Sequence, residues 1–198
     1  MPCRDSAGDC HNQTRHSHAR HKTDVTNVSR TCEESVNCTI RTATAADLPA
    51  VGRLAVLLVR LHHDLDAARF IAPTSSTESA YSAFLGSQLD TPRIVVLVAL
   101  EDDHVVGYTY AGVEGTDYMS LRGPAGVLYD IVVDPASRRH GIGRALLDAT
   151  IAALASRGAR QVVLSTAVGN ESAERLFSRA GFRRTMTEMT RELDDVIP

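Results

Sequence analysis

An apolar run that breaks into a two-glycine turn and then reopens as a helix constrains this chain more than any other feature. Gly126 to Val133 is the run, and it ends at Asp134-Pro135. Ala145, Leu146, Ala149, Ile151, Ala152 and Leu154 then follow a helical pattern. Between them lies Arg138-Arg139-His140-Gly141-Ile142-Gly143-Arg144. A strand, a tight turn and a helix in that order aim the unpaired amides of the first helical turn at one point, where the peptide dipoles add positive charge. Glycine at 141 and 143 removes the Cβ atoms that would hold a phosphate away, and Arg138, Arg139 and Arg144 supply charge around it. The expected ligand carries phosphate.

Spacing narrows the choice. No Gly-Lys-Ser or Gly-Lys-Thr closes a P-loop, and position 146 is Leu where a dinucleotide fingerprint needs its third glycine. What stands here is Arg138-x-x-Gly141-x-Gly143 directly after a strand ending in Val133-x-Pro135. Downstream, the apolar strand Gln161 to Thr166 is followed by Asn170-Glu171-Ser172-Ala173, then by a helix closing in Gly181-Phe182. Asn170 reads as an N-cap and Gly181 as a left-handed C-cap. Upstream, Thr39-Ile40-Arg41 opens a strand. Thr44 to Asp47 marks a helix start, with Pro49 in the first turn and an apolar stripe through Leu48, Val51, Leu54, Ala55, Leu58 and Leu61. Arg93 to Leu100 and Val105 to Val113, on either side of Asp102-Asp103, read as a hairpin.

Taken together and in this order, the motifs resemble the GNAT superfamily of N-acetyltransferases over roughly Thr39 to Leu193. The resemblance implies an α/β domain with a mixed, largely antiparallel sheet flanked by helices. A splayed pair of central strands would bind acetyl-CoA. It implies a domain over residues 39–198 behind a polar tail, 1–38. That tail holds all four cysteines (Cys3, Cys10, Cys32 and Cys38) and His11, His16, His18 and His21. Almost without aliphatic residues, it cannot bury enough surface to offset the entropy of ordering, so disorder is expected. Its Cys and His spacings match no zinc pattern, and no metal is expected. A start near Val36 would leave the domain intact.

Composition sets bounds on partners. A net charge of −3 and the lack of a basic stripe with interleaved aromatics argue against nucleic acid. No run is long enough to cross a bilayer, and the tail lacks the apolar stretch of a signal peptide, so a cytoplasmic address is expected. A homodimer stays open.

The resemblance also implies the chemistry. Ile131, Val132, Val133, Arg138, Arg139, His140, Gly141, Ile142, Gly143, Arg144 and Asn170 would hold acetyl-CoA. Amides near Ile131 and Val133 would polarise the acetyl carbonyl. The acceptor amine must lose a proton before it attacks, and Asp130 is the first candidate base, with Glu114 the second. Adjacent side chains on a strand face opposite ways, so Tyr129 and Asp130 share the substrate side only if a bulge intervenes. His62, His63, Asp66 and Tyr129 are candidates for binding a small cationic amine, with residues 114–126 as a second wall. Where many family members carry a tyrosine that protonates the departing sulfur, this chain has Phe177, which leaves Ser178 or water for that role. The expected reaction is direct transfer to a primary amine in a ternary complex. A non-catalytic acyl-CoA sensor is the alternative, and a phosphate-binding domain of unrelated chemistry is a third reading.

Overall fold

The computed structural model describes residues 30–31 and 38–193. Six strands form one sheet in chain order: β1 (Arg30–Thr31), β2 (Cys38–Thr42), β3 (Ile94–Glu101), β4 (His104–Glu114), β5 (Ala125–Val133) and β6 (Val162–Leu164). Every neighbouring pair is antiparallel except β5 and β6, which run parallel. The expected hairpin is β3–β4, and its turn residues Asp102 and Asp103 both take positive φ, the twist that suits a two-residue connection.

Helices cover both faces. On one side α1 (Leu48–Leu65) and α2 (Thr77–Gly86) pack over the sheet, with Val51, Leu54, Ala55 and Leu85 against Val96, Val98, Tyr108 and Val132. On the other, α3 (Ile142–Ser156) and α4 (Glu171–Arg179) bury Ile142, Leu146, Leu147 and Phe177 against Val95, Leu97, Ala111 and Leu128. α1 and α2 touch closely because position 52 is glycine. A Cβ there would stand 2.2 Å from Ser82 Oγ and 2.6 Å from the Glu78 carbonyl. This contact holds α2, with Tyr81 and Phe84 on it, over the sheet.

The start of α1 carries an ion pair with a defined purpose. Asp47 is 5% exposed and accepts from both ends of the Arg41 guanidinium at 2.7 and 2.8 Å, and from the Thr44 amide and hydroxyl at 2.7 and 2.8 Å. The Arg41 hydrogen bonds lead in holding its carboxyl down at about 2, against burial, which pushes it up. Because the folded value lies below the ordinary 3.8, the stabilisation is complete above about pH 4 and is lost as pH falls through about 2. Asp47→Asn is expected to lower unfolding free energy by about 2–3 kcal/mol at pH 7. Urea denaturation should show the difference from wild type closing at about pH 2.

One boundary moves. The polar tail was expected to run through Cys38, but β2 starts at that residue, and its side chain is buried at 2% exposure opposite Glu101. The backbone of Arg30–Thr31 pairs beside it. A cysteine is therefore part of the sheet. Apart from the backbone of Arg30–Thr31, the rest of the tail, including the other cysteines and its histidines, lies outside the described residues.

Candidate active site

β5 and β6 pair only through Gly126–Val162, Val127–Val163 and Leu128–Leu164. Beyond that β6 has ended, while β5 runs on to Val133, so a gap opens beside its C-terminal half. What faces the gap depends on a bulge. Tyr110 pairs with Asp130 but Ala111 pairs with Leu128, which leaves Tyr129 as the extra residue.

Hydrogen bonds at the two ends of β5 confirm the consequence. The Gly126 amide donates to Gln161 at the β6 edge, whereas the Asp134 amide, eight positions on, donates to Val106 at the β4 edge. In a regular strand, amides eight positions apart point the same way. With the bulge, the amides of Ile131 and Val133 face the gap. Val132 does not: its backbone belongs to the β4 ladder and its side chain is buried at 6% exposure under α1. The expectation that Val132 reaches the ligand is corrected on that ground.

The gap leads to the helix-start turn. Gly141 is the N-cap of α3 with φ +81°, and a Cβ placed there would meet nothing within 4 Å. At Gly143 a Cβ would make only ordinary contacts of 3.7 Å with Leu176 and Val133. Packing within the protein therefore does not require glycine at 143; an approaching ligand would. Arg138, Arg139, His140 and Gly141 are all exposed around this point, and Arg138 Nε donates to the Val133 carbonyl at 3.0 Å, which ties it to the mouth of the gap. Ile142 turns its side chain into the core at 1% exposure, so it offers only its amide. Arg144 turns away from the cradle. It pairs with Asp148 at 2.8 Å and donates to the Arg179 carbonyl at 3.1 Å. Asn170 caps α4 by accepting from the Ala173 amide at 3.3 Å.

Just past β6, Thr166 Oγ1 is buried and has no hydrogen-bond partner among the described residues. Leaving a hydroxyl in that condition costs about 1–3 kcal/mol, and a ligand in the gap would offer it an acceptor or donor. Thr166→Val keeps the shape and removes the orphan. It is expected to hold or raise ligand-free stability, by up to about 1 kcal/mol, in urea denaturation.

The other face of β5 carries a half-buried carboxylate. Because of the bulge, Tyr129 and Asp130 lie on the same side, with Tyr129 stacked on Tyr110 at 4.7 Å between centroids and Asp130 Oδ2 accepting from Tyr108 Oη at 3.1 Å. Burial pushes the Asp130 carboxyl up to about 6, against the Tyr108 hydrogen bond and the charge of His62, which lower it. A carboxylate poised there can take a proton near neutral pH. Tyr108 is fully buried, and burial, followed by the Asp130 charge, raises its own hydroxyl well above the usual range.

The other candidates separate. Glu114 is paired: its oxygens accept from Tyr129 Oη and from Arg122, both at 2.6 Å. Of the acceptor candidates, His62 stands within electrostatic reach of Asp130, and its Nδ1 lies 2.9 Å from the Leu58 carbonyl, which assigns a proton to Nδ1 and leaves Nε2 for other partners. His63 is bound at Nδ1 to the Phe70 carbonyl at 2.9 Å, and Asp66 caps the following turn through the Ala68 and Arg69 amides. Both serve the α1 terminus. Phe177 is 6% exposed, in the core against Phe182. Ser178 lies on the outer surface of α4 with Glu171, Glu174 and Arg175. Sequence reading passed over Tyr81, Tyr108 and Tyr110, which converge on Asp130 from α2 and β4. Their period-2 placement at 108 and 110 was the signal available.

The acetyltransferase (GNAT) family model matches residues 59–182. The chain belongs to the GNAT acetyltransferase family. A mycothiol acetyltransferase from Thermobispora bispora is 44% identical over 75 residues, 38% of this chain and 24% of that relative. The chain thus spans about a quarter of that curated relative's length. Among solved structures, a mutant protein from Bacillus halodurans superposes with a TM-score of 0.68 at 21% identity, over 78% of this chain and 98% of that one. The aminoglycoside N-acetyltransferase AAC(6')-Iy in complex with CoA gives 0.60 at 19% identity, over 81% and 97%. Both share the fold of this chain, a mixed sheet flanked by helices.

Proposed function

We propose that this protein transfers an acetyl group from acetyl-CoA to the primary amine of a small cationic acceptor, by direct attack in a ternary complex. One observation carries the reading: a single strand, β5, presents gap-facing amides at Ile131 and Val133 and, on its other face, a carboxylate at Asp130 tuned to about 6. The open cradle at Gly141 and Gly143 suits a pyrophosphate, and the arginines at 138 and 139 flank it. When bound there, acetyl-CoA supplies the thioester carbonyl that the amine attacks.

The residues would divide the work. Amides of Ile131 and Val133 hold the thioester arm and donate to the oxyanion that forms. Asp130 accepts the proton that the acceptor ammonium must lose, so that its nitrogen has a lone pair. Glu114, held by Arg122 and Tyr129, shapes the rim instead. With Phe177 in the core and Ser178 on the outer surface, sulfur departs as thiolate and takes its proton from water. A thiol with an ordinary pKa of about 8.5 is a tolerable leaving group for that.

The vacancy at Phe177 is also what favours the second reading, a sensor that binds acyl-CoA without turnover. Among the described residues no helix is long and apolar enough to cross a membrane. A cytoplasmic, small-molecule enzyme that works as a monomer or a homodimer completes the proposal. Release of free CoA thiol from acetyl-CoA, measured against a panel of amines, tests it. Thiol release that depends on the amine supports transfer. CoA binding without release supports the sensor, and tighter binding of ATP or NAD than of CoA would end both readings.

A further inference from the structure

The end of the sheet away from the Gly141 turn holds a second concave surface, where β3 and β5 start and β4 ends. About 420 Å³ of space lies there between Pro92 and Arg93 before β3, Val113 to Gly115 on β4 and just after it, Pro124 before β5, and Arg157 just past α3. Arg93 continues the β3–β4 ladder, its carbonyl accepting from the Val113 amide at 2.8 Å. Strand alternation therefore puts Arg93 in phase with Val95, and Val95 and Val113 both pack on the α3 side of the sheet. Tyr110 and the Tyr129 ring stacked on it lie on the other side, with α2. Along β5, nine residues or roughly 30 Å separate this cavity from the turn before α3.

Two guanidiniums line this space without a carboxylate of their own. The Arg93 side chain has no hydrogen bond or ion pair among the described residues. Arg157 donates to the Ala153 carbonyl at 3.0 Å and, more weakly, to the Pro92 carbonyl at 3.4 Å. Those acceptors are neutral, so they hold the guanidinium in place and leave its charge uncancelled. One carboxylate borders the cavity, Glu114, and its two oxygens already accept from Tyr129 Oη and from Arg122. Two like charges turned into one space repel, and an anion between them relieves the repulsion. The walls are in place before a ligand arrives. Between Gly115 and Pro124, the loop is closed by paired backbone hydrogen bonds of Asp117 and Arg122 at 2.8 and 2.9 Å.

We propose that Arg93 and Arg157 form a binding site for a small organic dianion, with its oxyanion groups on the two guanidiniums and its carbon body against Pro92, Val113 and Pro124. The planar fork of a guanidinium matches a carboxylate and a phosphate equally well, so oxyanion chemistry defines the ligand class. The volume is that of a small-molecule pocket, larger than a bare phosphate ion fills, and it calls for carbon as well as charge. A neutral ligand of the same shape would meet the apolar wall and leave both cations unanswered. The site is separate from the transferase centre in face and in distance, and it stands or falls without that reading.

The test titrates the ¹⁵N-labelled full chain with isophthalate, with phenyl phosphate and with neutral isophthalamide, and follows the backbone amides by NMR. At least one of the two dianions is expected to bind about tenfold or more tightly than the diamide. The tighter of the two identifies the oxyanion preferred. Amides of Val113, Gly115 and Ala125 are expected to shift together as the site fills, while those of Gly141 and Gly143 serve as a reference at the other end of the sheet. Arg93→Gln breaks no side-chain bond within the described residues, so it is expected to keep the melting temperature and to weaken the dianion by about tenfold or more. Arg157→Gln is expected to weaken it as much. If its lost backbone contacts lower the melting temperature, Arg93→Gln alone decides. No preference for either dianion over the diamide overturns the proposal, and so does affinity unchanged in Arg93→Gln. Shifts confined to Gly141 and Gly143 would place the anion at the helix-start turn and overturn it equally.

Discussion

Asp130→Asn is expected to lower kcat/KM by about 10²–10⁴ at neutral pH, the usual range for losing a positioned base, while making the protein more stable. The two effects have one origin. Burial raises the Asp130 carboxyl from the ordinary 3.8 to about 6, so ionising it at pH 7 works against the fold. That penalty is absent below about pH 4, grows as pH rises and is complete above about 6. Asparagine never ionises, and its gain at pH 7 is expected to be about 1–3 kcal/mol, vanishing near pH 4. Activity follows the opposite course. In wild type, kcat/KM falls about tenfold per pH unit below about 6, and in Asp130→Asn the residual rate recovers at high pH, where the amine is already neutral. Thermal denaturation and steady-state kinetics on the same samples check both. Full activity across the pH range in a folded Asp130→Asn protein would remove the residue from the mechanism.

Gly141→Val is expected to weaken CoA binding by about a hundredfold or more, as several charge-assisted hydrogen bonds of about 1.5–3 kcal/mol each lose their geometry. Two sources of damage act together. At φ +81° a β-branched residue is strained, by about 1–2 kcal/mol, and its side chain projects into the open space that the ligand needs. Gly158 separates them. It has φ +91° and equally open surroundings at the far end of α3. Gly158→Val is therefore expected to match the loss of melting temperature without touching CoA affinity. Gly143→Ala adds a Cβ in ordinary contact and is expected to leave stability unchanged or slightly raised. Calorimetric titration with CoA across the three variants gives the comparison. A Gly141→Val protein that binds CoA normally would mean that the phosphates lie elsewhere.

Local signals carried most of the fold into the sequence. The β3–β4 hairpin, the Thr44–Asp47 helix start, the Asn170 cap and the left-handed Gly181 each rest on a few adjacent residues, and each appears in place. The strand–turn–helix around Gly141 was legible for the same reason, since its parts follow one another in sequence. The tyrosine-lined face around Asp130 was harder to read. Tyr81, Tyr108, Tyr110 and Tyr129 come together from one helix position and three positions on two strands, and only the packed sheet brings them to Asp130. Paired side chains were partly hidden. The Arg144–Asp148 pair could have been read from its i,i+4 spacing, but nothing in the order of residues tells that Arg144 also reaches the Arg179 carbonyl, or that Arg122 occupies Glu114. α2 was missed because Thr77–Gly86 buries little beyond Leu85, so its apolar stripe is weak.

The bulge at Tyr129 stores one residue that the β4 register does not use. Deleting Tyr129 would restore regular pairing, keep Asp130 opposite Tyr110 and leave the amides of Ile131 and Val133 toward the gap. Deleting Ile131 has no bulge to absorb it, so Val133 would take the place of Val132 and turn its amide to β4. β5 therefore has slack for a lost residue at one position and none two places further on.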